Sequence, residues 1–171
     1  MLIVLLVGLR SIPIHKLSKS VIDICIMVLQ DDDNDGNSSS IFNACIISAS
    51  IALADAGIEL YDIISSCSVA VVQYTTAKQE ETLYMYLLDP TGQEEKDNND
   101  DDCNGIISTT IVTLAMLCNW KEVVFLDQSS SSINHKQHLP PIVSLKAMEL
   151  CRDGCMIMSK FMKQCLLKHE H

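Results

Sequence analysis

The sequence predicts an α+β fold, with helices packed on a mixed or antiparallel sheet. Three observations carry this expectation. Apolar runs of strand length, rich in β-branched residues, recur at 21–30, 62–72, 83–88, 105–117 and 122–126. An Ala-rich apolar stretch at 40–56 stops at a glycine, and a long periodic segment follows a proline pair near the end of the chain. No internal repeat is visible.

Residues 21–30, VIDICIMVLQ, end in a polar cluster and predict a strand. Asp31 to Ser40 (DDDNDGNSSS) is a low-complexity turn whose serines are candidate helix N-caps. From Ser40 to Ala56 nearly every face carries Ala, Ile, Ser or Cys, so this helix is expected to be largely buried. Gly57 supplies the left-handed residue that ends it. Asp62 to Val72 and Leu83 to Leu88 are the next two strands, separated by a polar loop. Gly105–Leu117 and Glu122–Leu126 form a strand pair joined at Asn119-Trp120-Lys121. Pro140-Pro141 opens a helix over about 142–168, where Pro suits the first turn. Leu145, Met148, Cys151, Cys155, Met158, Met162 and Cys165 mark its expected apolar stripe. The whole of 1–171 reads as one partial domain, with polar insertions near 31–40, 96–104 and 128–138.

Composition narrows the function classes. The chain has 171 residues, 48% of them hydrophobic, which suffices for a core and excludes global disorder. A net charge of −10 disfavours autonomous, non-specific binding of nucleic acid, because phosphate contacts need Lys and Arg. Of the 8 cysteines, Cys25, Cys45, Cys67, Cys118, Cys151, Cys155 and Cys165 lie in apolar runs and form no CxxC pair. They read as small core residues in a reducing compartment, with neither a zinc ribbon nor a disulfide framework. The apolar run from Leu2 to Leu9 lacks a positive leader and a small-x-small cleavage site, and it is too short to span a membrane. It is expected to be a core segment whose beginning lies outside the chain.

Few constellations carry chemistry. Asp31-x-Asp33-x-Asp35-Gly36 opens like a calcium loop, but its twelfth position is Phe42 in place of a bidentate Glu. His135 and His138 lie in a polar loop without ligand companions, and His169 and His171 are terminal. Ser65, Ser66 and Ser68 have no GxSxG context, and there is no Gly-rich phosphate loop. Trp120, Tyr84 and Tyr86 are candidate base-stacking groups, although alternation of the two tyrosines reads more simply as a half-buried strand. The serious candidate is the carboxylate cluster after Leu88. Asp89, Glu94 and Glu95 leave a strand end and can hold a divalent ion or do acid–base work, or else form a solvated loop continuous with Asp97–Asp102.

Two stretches, IALADAGIELYD (Ile51 to Asp62) and LLDPT (Leu87 to Thr91), resemble the second half of an RNase PH-type domain of the RNA-exosome ring. The resemblance runs from about Leu9 to Leu167, is strongest over Ala44–Val71 and Leu87–Glu95, and takes in Gly154-Cys155 of the closing helix. Active members carry a stretch resembling LDLxxEED, with a further Asp beyond it. Here Glu95 stands where a catalytic Asp is expected, the further Asp has no counterpart, and Pro90 follows Asp89 as in ring subunits regarded as inactive. One added carbon shifts a carboxylate by about 1 Å, enough to spoil a positioned acid. Lys96 is the only cation in the acidic tract, whereas phosphorolysis needs several. The resemblance therefore implies a structural subunit with no cofactor, metal or catalytic residue, Asp89, Glu94 and Glu95 being vestigial. It implies as partners other RNase PH-like subunits and RNA-binding cap subunits, with RNA met through the assembled ring and no membrane. It also implies a place in the nucleus and nucleolus, and in the cytoplasm. The first half of such a domain is expected to precede this chain, and a lone second half to expose one sheet face and the helix at 40–56. Two other classes remain open: a phosphate-dependent 3′→5′ exoribonuclease using Asp89, Glu94 and Glu95, and a small acidic module that recruits a basic partner.

Overall fold

The computed structural model describes residues 11–13, 21–30, 39–75, 82–92, 94, 106–130 and 139–169. The chain is α+β. Helix α1 (Ser39–Asp55) precedes strands β1 (Ile64–Thr75), β2 (Thr82–Leu88), β3 (Ile106–Leu117) and β4 (Glu122–Ser130), and helix α2 (Pro141–His169) closes the order. The strands form one antiparallel sheet in the order β2-β1-β3-β4. Among the described residues no helix is long and apolar enough to cross a membrane.

Strand β1 lies at the centre and is buried continuously from Ile64 to Val72. Its pleat sends alternate side chains to opposite helices. Cys67, Val69 and Val71 join Val112, Leu114 and Met116 of β3 against Val143, Ala147, Cys151 and Cys155 of α2. On the other face Ile64, Ala115 and Leu117 meet Ile46 and Ala49 of α1. Each such aliphatic side chain contributes about 1.5–3 kcal/mol when removed from water.

Serines on a doubly covered strand require partners, and α1 supplies them. Asn43 donates to Ser68 Oγ at 2.8 Å and accepts from Ser66 Oγ at 2.6 Å. Ser68 also bonds Thr113 Oγ1 at 2.8 Å, and Ser50 Oγ accepts from the Ile64 N–H at 2.9 Å. On the α2 face Ser65 donates to the Cys155 carbonyl at 2.8 Å. Among the described residues no buried side-chain nitrogen or oxygen lacks a partner.

The ends are fixed as locally. Gly57 has φ 69°, with its N–H on the Ala54 carbonyl at 3.0 Å and the Ile58 N–H on Leu53 at 3.2 Å, a Schellman stop. Buried Asp62 accepts from the backbone N–H of Asn119 at 2.6 Å and its side chain at 2.8 Å. Lys163 of α2 then donates to Asn119 Oδ1 at 2.8 Å. The β3–β4 turn is thereby tied to both the β1 entry and α2.

Five expectations need correction. Residues 21–30 are not a hydrogen-bonded strand: Ile22, Ile24 and Ile26 are half-buried and their neighbours exposed, an extended alternation without a ladder. Helix α1 is buried on one face only, through Asn43, Ile46, Ala49, Ser50 and Leu53, because a single sheet face receives it. The core line of α2 is Val143, Ala147, Cys151, Cys155, Ser159 and Met162; Leu145, Met158 and Cys165 are exposed. The expected stripe holds at Cys151, Cys155 and Met162, with Met148 half-buried, and Ser159 is buried beside the exposed Met158. Gln128 to Ser130, assigned to an insertion, belong to β4, since pairing with Thr110 to Val112 holds them whatever their propensity. Finally, β1 and β3 are covered on both faces, not one. The segments 31–38, 95–105 and 131–138, with the calcium-like loop and His135 and His138, lie outside the described residues, as do residues 1–10 and His171.

Gly154 sets how closely α2 approaches β1, since an added Cβ would sit 2.6 Å from Cys67 Sγ. Gly154→Ala gains about 1 kcal/mol of helix propensity yet loses about 1–3 kcal/mol to the overlap. Urea unfolding is expected to show net destabilisation in the native background and stabilisation in a Cys67→Ala background. Additive effects in the two backgrounds would contradict the contact.

Candidate functional site: a cleft at the end of strand β2

Where β2 ends, the two helices and β1 leave a cleft of about 340 Å³. Ser40, Asn43, Ala44 and Ile47 of α1 line one side, and Gly154, Ile157 and Met158 of α2 the other. Ser66 and Cys67 of β1 and Leu88 and Asp89 at the end of β2 complete it. Buried Asn43, Ser66 and Cys67 contribute to its floor. Its rim is apolar and open: Leu88 is 53% exposed, Ile157 66% and Met158 38%.

Asp89 occupies that rim because the β1–β2 ladder runs out beneath it. Val69 pairs with Leu88, and the Asp89 N–H then donates to the Ser68 carbonyl at 2.8 Å. Its φ of 52° is left-handed, a region Asp tolerates better than most residues. Buried Pro90 follows and fixes the exit of the chain. Asp89 and the floor thiol are electrostatically linked: burial first, then the Asp89 carboxylate, push Cys67 up to about 11. Burial likewise pushes Cys151 up to about 12 and raises Cys155 further. These thiols are held as neutral core groups.

Glu94 does different work. Its Oε2 accepts from the Thr91 N–H at 2.8 Å and the Thr91 hydroxyl at 3.1 Å, while the Glu94 N–H donates back to Thr91 Oγ1 at 3.4 Å. Thr91-Gly92-Gln93-Glu94 is a capping box. The T-x-x-E spacing was present in the sequence as its signature, and the reading of Glu94 as an active-site remnant missed it. Glu95 lies outside the described residues, so of the three carboxylates singled out in the sequence Asp89 is the one described at the cleft. Among the described residues no group of three His, Cys, Asp or Glu side chains is arranged to hold a metal ion. Among the described residues, none that lines the cleft is Lys, Arg or His.

The remaining candidates have structural surroundings. Ser65, Ser66 and Ser68 are spent in the core network. Tyr84 and Tyr86 pack against the α2-side core, with Lys146 Nζ 5.1 Å from the Tyr86 ring centre. Trp120 meets Tyr61 edge-on at 6.0 Å. No local signal pointed to Asn43, Gly154 or Ile157 as one site, because they come together only through the sheet.

A family model, that of the 3′ exoribonuclease family, domain 1, matches residues 6–59. The match covers less than half of the chain; it includes α1 and its Gly57 stop, and ends before β1. It supports an RNase PH-like family, and the antiparallel sheet with its two helices is consistent with that fold. No curated protein matches the chain.

The bonds from Thr91, the backbone N–H first and the hydroxyl second, lower the Glu94 carboxyl below the ordinary Glu range. They favour the ionised form, so this capping contribution is present at neutral pH and is lost as pH falls through the folded midpoint. Carboxyl NMR titration should give a Glu94 midpoint below the usual value of about 4.3. Thr91→Val, which keeps the N–H, should raise it partway; an unchanged midpoint would show that the hydroxyl does not contribute.

Proposed function

We propose that the chain is a non-catalytic, RNase PH-like subunit of an RNA exosome-type ring, of the kind called component six or mRNA transport regulator three. One observation carries the reading. Just after β2, Glu94 is engaged by Thr91, while the neighbouring cleft is walled by apolar side chains. Phosphorolysis needs cations arranged around inorganic phosphate and the RNA backbone, and the cleft lining contributes only the carboxylate of Asp89. The match of residues 6–59 to the 3′ exoribonuclease family supports the same family with or without catalysis.

In this role the chain contributes surface, not group chemistry. Related RNase PH-like subunits flank it, RNA-binding cap subunits sit on the ring, and RNA passes to an associated nuclease. A net charge of −10 fits that division, since neighbours then supply the positive field along the RNA path. The setting is the nucleus and nucleolus, with a cytoplasmic pool, and rRNA and other RNA are processed and degraded by the assembly. The chain itself uses no cofactor.

Affinity purification of the tagged full-length protein from its own cells, followed by mass spectrometry, tests the reading. Related RNase PH-like and cap subunits are expected in near-equal amounts. Recovery of the protein alone, or with unrelated basic partners, would overturn it in favour of an acidic binding module.

A further inference from the structure

We infer that the cleft at the end of β2 receives an arginine side chain from a protein partner, its stem on the apolar walls and its guanidinium on Asp89. The inference deepens the ring-subunit reading, on which the identity of the partner as a neighbouring subunit rests. The site itself stands on geometry.

Three large apolar side chains, Leu88, Ile157 and Met158, are exposed around one opening, and Ile47 and Ala44 of α1 line it from the other side. Apolar groups that converge on a cavity and remain exposed are characteristic of a contact surface. A volume of about 340 Å³ is near the lower end of ligand clefts, about 300–1,000 Å³, and admits a side chain, not a helix. The polar groups of Asn43 and Ser66 on the floor are engaged with each other and with Ser68 beneath them. They therefore call for no polar atom at the bottom of the cleft. The charge at the opening belongs to Asp89, and no lining residue among those described opposes it. Arg152, on the next turn of α2, is paired with Asp153 at 3.1 Å.

An apolar passage leading to a carboxylate selects a long side chain with a cationic end. Arginine fits better than lysine. Its guanidinium is weakly hydrated, tolerates apolar contact on its faces and offers a fork that matches a carboxylate. Arginine is also enriched at the buried centres of interfaces, where an apolar surround excludes water from the pair.

The probe is butylguanidinium, with butylurea as the neutral molecule of the same shape, titrated into the 171-residue chain and followed by amide NMR. Butylguanidinium is expected to shift Leu88, Asp89, Gly154 and Ile157 saturably, with butylurea weaker by about fivefold, as for a partly exposed ion pair. Asp89→Asn keeps the left-handed backbone that Asn also accepts, and should reduce butylguanidinium to the strength of butylurea. Ile157→Ser, at an exposed position, should weaken both. No saturable shift, equal response to the two molecules, or indifference to Asp89→Asn would each overturn the inference. A chain that recovers its ring partners but shows no response in the cleft discards the arginine site alone. A chain that binds butylguanidinium but recovers no ring partner keeps the site and discards the ring.

Discussion

Everything in this fold depends on keeping β1 dry on both faces while satisfying the serines it carries. A strand reading Ile64-Ser65-Ser66-Cys67-Ser68 cannot be buried as an apolar strand would be, because each orphaned hydroxyl costs about 1–3 kcal/mol. Asn43 resolves this by reaching from α1 to Ser66 and Ser68 together, with Thr113 completing the set from β3. Ser65 is satisfied on the opposite face by a carbonyl of α2. The same bonds that make burial tolerable also fix the positions of both helices. An apolar core tolerates sliding; a closed set of hydrogen bonds between α1, β1 and β3 does not.

The cleft follows from that constraint. Asn43 fixes α1 against one face of β1, and Gly154 lets α2 close onto Cys67 on the other. The two helices meet the sheet from opposite sides, and β2 stops at Leu88 between them. The gap is therefore lined by four elements and rimmed by the exposed side chains of Leu88, Ile157 and Met158. Beyond it the chain turns through Asp89 and buried Pro90 into the Thr91–Glu94 cap. A segment that resembles a catalytic motif is built as a strand exit followed by a helix start. Glu94 is used for the second of these, which leaves Asp89 as the described carboxylate facing the cleft.

The sequence disclosed what local chemistry determines. Gly57 ended α1 as expected, Asn119-Trp120-Lys121 joined β3 to β4, and Pro140-Pro141 preceded α2, because each is decided by a few adjacent residues. It failed where tertiary partners decide. Residues 21–30 have strand composition and strand-like alternation, yet a strand also needs a neighbour to bond, which composition does not reveal. The α2 stripe held at Cys151, Cys155 and Met162 and failed where Ser159 is buried while Leu145 and Met158 are exposed, the opposite of their hydropathy. The cleft was illegible for the same reason: Asn43, Cys67, Asp89 and Ile157 share no sequence pattern. The capping box was legible locally, in the T-x-x-E spacing of Thr91 and Glu94.

The central claim, that this chain contributes structure and not catalysis to an RNase PH-like assembly, is tested most directly by phosphate-dependent release of nucleoside diphosphates from RNA. The assay compares the purified native assembly with the same assembly carrying Glu95→Gln. The account predicts identical release in the presence and absence of this substitution, whatever associated nucleases contribute. Phosphate-dependent release that disappears with it would show that this chain carries the chemistry and would contradict the account.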